Sequence, residues 1–145
     1  MKGNLSRRYV EDRSESELTT FGVRSNLTSG KAVCHCSDCR KTSGTTYSTN
    51  IVVPGDGFKL LAGSPKEITK TADSGKQITN HFCGDCGTTL WRDGETFGSN
   101  KIIRVGVIDD PKALSNAKPD VEFFVGGRAS WVTEIEGAPQ LASMA

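Results

Sequence analysis

The chain has 145 residues, one domain's worth, because single cores divide only beyond about 250 to 300 residues. A hydrophobic content of 35% alongside 16 glycines excludes long apolar helices, and no run approaches the roughly 18 to 20 apolar residues that span a bilayer. The 18 basic and 17 acidic side chains leave a formal charge of +1, so neither a nucleic-acid backbone nor an anionic membrane is favoured as a partner.

The first ten residues include basic side chains but no apolar stretch of about 7 to 15 residues, so no secretory signal is read and the cytoplasm is the expected location. Residues 1–17 are polar, without periodicity, and read as a loosely attached arm. A single domain is expected over 18–137, followed by a short frayed tail over 138–145. Within the domain, short β-type runs alternate with glycine, proline and aspartate clusters. Strands are expected at Thr20 to Arg24, Ala32 to Cys36, Tyr47 to Val53, Phe58 to Ala62 and Glu67 to Ala72. Further strands are expected at Ile78 to Cys83, Thr88 to Arg92, Lys101 to Ile108, Val121 to Val125 and Ser130 to Val132. The segment Ala72-Asp73-Ser74-Gly75 between two alternating runs signals a hairpin. Ile51 to Val53 and Ile102 to Ile108 are continuous and β-branched, as central strands are. Two helical turns are expected, Ser37 to Ser43 stopped by Gly44, and Asp110 to Leu114, where aspartate caps and proline takes the first helical position. The class is mainly β with short helical turns.

Five cysteines, an odd number, fall in two compact motifs. In a reducing compartment such clustering points to metal or thiol chemistry rather than disulfides. Cys34-His35-Cys36-Ser37-Asp38-Cys39 places three thiols at a strand end and the first turn of a helix. Alternation puts Cys34 and Cys36 on one face, and the turn returns Cys39 toward them. Three converging thiolates repel unless a cation joins them, and three sulfur ligands on Zn²⁺ leave the fourth position open, as catalytic zinc requires. The second motif, Cys83-Gly84-Asp85-Cys86-Gly87, is a zinc-knuckle half-site. Three readings stand side by side. One zinc is held by Cys34, Cys36 and Cys39 while Cys83 and Cys86 are a remnant or a redox pair; one zinc draws on both motifs; or the thiols are buried without metal.

The stretch Gly30 to Gly44 containing the first motif, Phe82 to Trp91 containing the second, and Arg128-Ala129-Ser130-Trp131-Val132 together resemble the glutathione-dependent formaldehyde-activating enzyme family, which includes centromere protein V. The resemblance covers about residues 19 to 137. It implies a β-tent fold of small antiparallel sheets and carbon–sulfur lyase chemistry, joining or separating a thiol such as glutathione and an aldehyde. It also implies that Cys34, Cys36 and Cys39 hold catalytic zinc, and that Cys83 and Cys86 share a structural zinc with an N-terminal C-x-C-G motif. That segment here reads Thr19-Thr20-Phe21-Gly22-Val23, with Thr19 and Phe21 in place of the two cysteines. One zinc is therefore expected, with half of the second site missing.

Around the first motif, Asp38 is a candidate to orient or deprotonate a zinc-bound group, and Arg40 with Lys41 to hold a substrate carboxylate. His81, two residues before Cys83, is a candidate acid, base or replacement ligand, whereas His35 should point away from its flanking thiols and pack. Trp91 and Trp131 are expected chiefly as core residues, and Ser43 to Ser48 as a hydroxyl-rich wall beside the zinc. The leading expectation is a zinc-dependent lyase acting on a small thiol–aldehyde adduct, with glutathione as the candidate thiol. The alternatives are a zinc lyase, dehydratase or isomerase acting on another metabolite, and a non-catalytic zinc-stabilised binding module. A closed four-cysteine site drawing on Cys83 or Cys86 would favour the module.

Overall fold

The computed structural model describes residues 5–8, 20–24 and 29–144, the first two segments through their backbone alone. The chain is mainly β. The strands are β1 (Leu5–Arg8), β2 (Thr20–Arg24), β3 (Gly30–Cys34), β4 (Ser48–Val53), β5 (Phe58–Ala62), β6 (Lys66–Thr71) and β7 (Gln77–Phe82). After them come β8 (Thr89–Gly94), β9 (Gly98–Arg104), β10 (Val121–Phe123) and β11 (Gln140–Leu141). Two short helices, α1 (Ser37–Ser43) and α2 (Pro111–Ser115), interrupt them. Both sit where capping and proline chemistry put them: Asp110 accepts from the Lys112 and Ala113 N–H groups, and Pro111 opens α2.

Eight strands form one sheet in the order β11-β10-β3-β4-β9-β8-β7-β6, and β1-β2-β5 form a second, three-stranded sheet. Pairing in the larger sheet is antiparallel except at its C-terminal end, where β10 lies parallel to both β3 and β11. Four segments differ from the sequence expectation. The strand expected over Lys101 to Ile108 ends at Arg104, and Val105–Val107 forms a 3-10 turn that carries Val105 into the core. Leu5–Arg8, read as part of an arm, pairs with β2. Gln140–Leu141, read as tail, adds to the sheet edge. Ser130 to Val132, read as a strand, is a turn, and Trp131 on it is 75% exposed. β-Branched composition alone does not supply a partner strand.

The register makes the large sheet two-faced, because directly paired residues project to the same side. On one side Ile51, Ile103, Trp91 and His81 are successive cross-strand partners. This side carries the apolar core of Ile51, Val53, Leu90, Trp91, Ile103, Val105, Ile108 and Ala117, with Phe58 of β5 against Trp91 at a ring-centroid distance of 4.8 Å. On the other side Asn50 pairs with Arg104, and Ile102, Arg92 and Asn80 follow one another. Cys34 and Ser48 are partners on this same polar side.

Candidate metal centre and cleft

β3 delivers Cys34, and the chain turns through His35 and Cys36 into α1. Cys36 takes the N-cap position normally held by a hydroxyl or carboxylate; its sulfur accepts from the Cys39 N–H at 3.3 Å. Gly44, at φ 69°, ends the helix in the left-handed conformation open to glycine. The result is that the sulfurs of Cys34, Cys36 and Cys39 lie within 4.8 Å of one another, Cys34 and Cys39 buried and Cys36 partly exposed. Tetrahedral zinc with sulfur at about 2.3 Å would place its ligands about 3.8 Å apart, so this trio fits with small adjustment.

The electrostatics agree with a cation. Hydrogen bonds from Cys34, then from Cys36 and Ser48, together with the Arg104 charge, hold the Cys39 thiol far below its ordinary range. Hydrogen bonding to Cys36 and Cys39, followed by burial, pushes Cys34 up. Three close sulfurs thus cannot all ionise unless a metal compensates them.

Two arginines from the polar side frame the trio. Arg92 donates from Nη2 to Asp38 Oδ2 at 2.5 Å, from Nε to Asn80 Oδ1 at 2.9 Å, and from Nη1 toward Cys39 Sγ at 3.9 Å. Lys70 also pairs with Asp38. Arg104 donates from Nη1 to Asn50 Oδ1 at 2.6 Å and from Nη2 to Thr42 Oγ1 at 3.3 Å. Neither arginine was singled out from sequence, although Arg104 stands inside the apolar run Ile102-Ile103-Arg104-Val105, where a charge is out of place.

Of the expected residues, Asp38 adjoins the trio, while Arg40 is exposed on α1. His81 lies on the core side of the sheet. It stacks on Trp91 at 4.6 Å and 13°, its Nε2 is 2.9 Å from Asp93 Oδ1, and its Nδ1 is 3.2 Å from Glu67 Oε1. A register shift between His81 and Phe82 interrupts the alternation on which a shared face with Cys83 depended. His35 is fully buried with Nε2 2.8 Å from Glu122 Oε1, a packing role as alternation suggests. Glu122 also accepts from the Ile135 N–H and Gln140 Nε2, fastening the C-terminal segment to the cysteine loop.

The second motif forms a tight knuckle. Gly87, at φ 76°, donates its N–H to the Cys83 carbonyl at 2.8 Å. Cys83 is buried, whereas Cys86 is exposed with its sulfur 3.1 Å from Thr88 Oγ1. Among the described residues neither joins a group of three metal-ligating side chains. Thr19 and the side chain of Phe21 lie outside the described residues; the Phe21 backbone pairs with Leu60 of β5.

A cleft of about 870 Å³ is lined by Thr42, Ser48, Arg104, Trp131 and Thr133 among others; none of the three cysteines lines it, and it adjoins the trio through Ser48 and Arg104, which both act on Cys39. The Ser43 to Ser48 stretch lines it, and Trp131 is a wall residue rather than a core one. A metal with one open position next to a polar cleft can hold and activate a small ligand. No helix of the described residues is long and apolar enough to cross a membrane.

The sequence pattern of the family described as "Glutathione-dependent formaldehyde-activating enzyme" matches residues 18–127. The "Putative glutathione-dependent formaldehyde-activating enzyme" of Penicillium rubens is 34% identical to this chain over 89 residues, 61% of this chain and 42% of that protein. The chain thus spans less than half the length of the curated relative it matches. With both cysteine motifs inside the matched region, the chain belongs to the glutathione-dependent formaldehyde-activating enzyme family.

Proposed function

We propose that the protein is a zinc-dependent enzyme that joins or separates a thiol, glutathione or a relative, and an aldehyde, working in the cytoplasm where its five free cysteines stay reduced. The observation that carries this reading is the convergence of the Cys34, Cys36 and Cys39 sulfurs beside a polar cleft, within a chain of this family. The ion would be held by those three sulfurs; when bound it supplies Lewis acidity that favours thiolate over thiol.

In the forward direction the thiol sulfur forms a bond to the carbonyl carbon, the carbonyl π pair moves to oxygen, and the thiol proton ends on that oxygen as a hydroxyl. The reverse breaks the carbon–sulfur bond. The chain's own residues contribute position and charge. Asp38 is proposed as a positioning residue, since both carboxylate oxygens are engaged by Arg92 and Lys70 and it holds the Arg92 guanidinium against Cys39. Hydroxyls along the cleft are proposed to order the adduct; Thr42 is not among them, because its Oγ1 donates to the Asp38 carbonyl and accepts from Arg104. Arg40, exposed on α1, and His81, on the other face of the sheet, are not assigned to the reacting atoms.

The test is exchange between free formaldehyde and its glutathione adduct followed by NMR, together with zinc content. The zinc-loaded protein is expected to accelerate exchange and to carry one zinc. Cys36→Ser is expected to lose both, and Cys83→Ser to retain both. Exchange at the uncatalysed rate overturns the activity, and zinc lost equally in both variants overturns the three-sulfur site.

A further inference from the structure

Three of the five cysteines converge in the sulfur trio, which leaves Cys83 and Cys86 with no further thiol in the chain to join. The two are unlike. Cys83 is 1% exposed, so its sulfur is closed to dissolved reagents, whereas Cys86 is the one exposed thiol of the five. Two main-chain bonds close the turn that holds them: the Gly87 N–H donates to the Cys83 carbonyl at 2.8 Å, and the Cys83 N–H donates to the Thr88 carbonyl at 2.9 Å. A closed turn keeps residues three apart within the roughly 4.4 to 6.8 Å Cα separation that a disulfide spans.

The surroundings of Cys86 suit a nucleophile. Thr88 Oγ1 lies 3.1 Å from its sulfur, and hydrogen bonds from the Thr88 hydroxyl and N–H, then from the Cys83 thiol, hold the Cys86 thiol below its ordinary range. An exposed thiol with thiolate character beside a buried second thiol is the arrangement of an attacking and a resolving cysteine. The motif also adjoins the cleft. Gly87 and Thr88 line it although neither cysteine does, so a group attached to Cys86 stands beside that wall.

We propose that Cys83 and Cys86 form a thiol–disulfide exchange site for a small disulfide, with Cys86 attacking and Cys83 resolving. The Cys86 sulfur bonds to one sulfur of the small disulfide, whose S–S bond breaks and whose other half leaves as a thiolate. The Cys83 sulfur then bonds to that of Cys86, and the remaining half leaves as a second thiolate. The two cysteine protons go to solvent, and each leaving thiolate takes one up. The protein thus gives up two hydrogens, and with them the two electrons that reduce the small disulfide to two thiols. The trio takes no part, since Cys34 and Cys39 are buried and its sulfurs would be engaged by the ion.

The test incubates the zinc-loaded full chain with excess glutathione disulfide, as wild type, Cys83→Ala and Cys86→Ser. Remaining thiols are then blocked by alkylation, and the products are read by intact and peptide mass spectrometry together with zinc content. The wild type is expected to lose two hydrogens, located at Cys83 and Cys86, and to keep its zinc. Cys83→Ala, which leaves an apolar side chain in the buried position, should stop at the mixed disulfide and gain one glutathionyl group on Cys86. Cys86→Ser, changed only at an exposed position, should stay unmodified. A wild type that remains reduced, or that accumulates the glutathionyl adduct without closing the disulfide, overturns the proposal. So does an adduct on Cys83 in Cys86→Ser, a disulfide formed first within the trio with loss of zinc, or a second zinc held by Cys83 and Cys86 that blocks exchange. No aldehyde enters these measurements, so this proposal and the thiol–aldehyde reading fail separately.

Discussion

The two faces of the eight-stranded sheet are built from the same strands and do opposite work. On one, Ile51, Ile103 and Trp91 stack across three strands into an apolar core. On the other, one residue along each strand, Asn50, Arg104, Arg92 and Asn80 are just as buried but polar, and they surround the sulfur trio. The difference teaches that a two-residue period can supply stability and chemistry from one segment: Ile103 and Arg104 are neighbours in sequence and belong to different functions. Apolar burial is what lets the second face hold charge at all, since the sheet that places those charges is stabilised from the first.

If the faces are separable, substitutions on the core side should cost stability without touching metal. The largest effect is expected for Ile103→Ala, a fully buried side chain whose truncation should cost about 2 to 5 kcal/mol in urea unfolding. Zinc stoichiometry of the folded fraction should be unchanged; parallel loss of zinc would show that the faces are coupled.

Glu122 tests the seam between the faces, at the edge where β10 meets the cysteine strand. Burial alone would raise its pKa, but hydrogen bonds from His35, the Ile135 N–H and Gln140, with the Arg128 charge, bring it from 4.5 down to about 2. A depressed carboxylate contributes stability that is complete above its ordinary value and is lost as pH falls from 4.5 toward about 2. Glu122→Gln should cost about 1 to 3 kcal/mol at neutral pH. It should also flatten the decline over that acid window, and a decline as steep as the wild type's would assign the acid sensitivity to other groups.

The smallest stability effect is expected at Trp131. At 75% exposure its truncation to alanine should shift stability by no more than about 0.5 kcal/mol, while weakening glutathione binding several-fold through loss of a cleft wall. A large change in unfolding midpoint with unchanged binding would return Trp131 to a structural role.

The sulfur trio was legible because its three ligands lie within six residues, so local geometry alone brings them together. The mainly β class, the hairpin and both helical turns were legible for the same reason, since alternation and capping are local properties. Asp38 shares that locality. The arginines were not legible, because their roles depend on segments more than 50 residues away: Arg92 meets Asp38 of α1 across 54 residues and Arg104 meets Asn50 of β4 across another 54. His81 shows how little it takes to change a face. Its spacing from Cys83 implied a shared side, and a single register shift interrupted the pattern.

By itself, then, the sequence determined what can be decided within a turn or a strand: the family, the mainly β fold and the three sulfurs that can converge. The tertiary structure decided which distant charges those sulfurs meet, that His81 belongs to the core side, and that Trp131 borders a cleft instead of filling a core. The physical reason is register. Which face a strand residue occupies, and what it finds there, follows from pairing between segments, and no local pattern contains the partner.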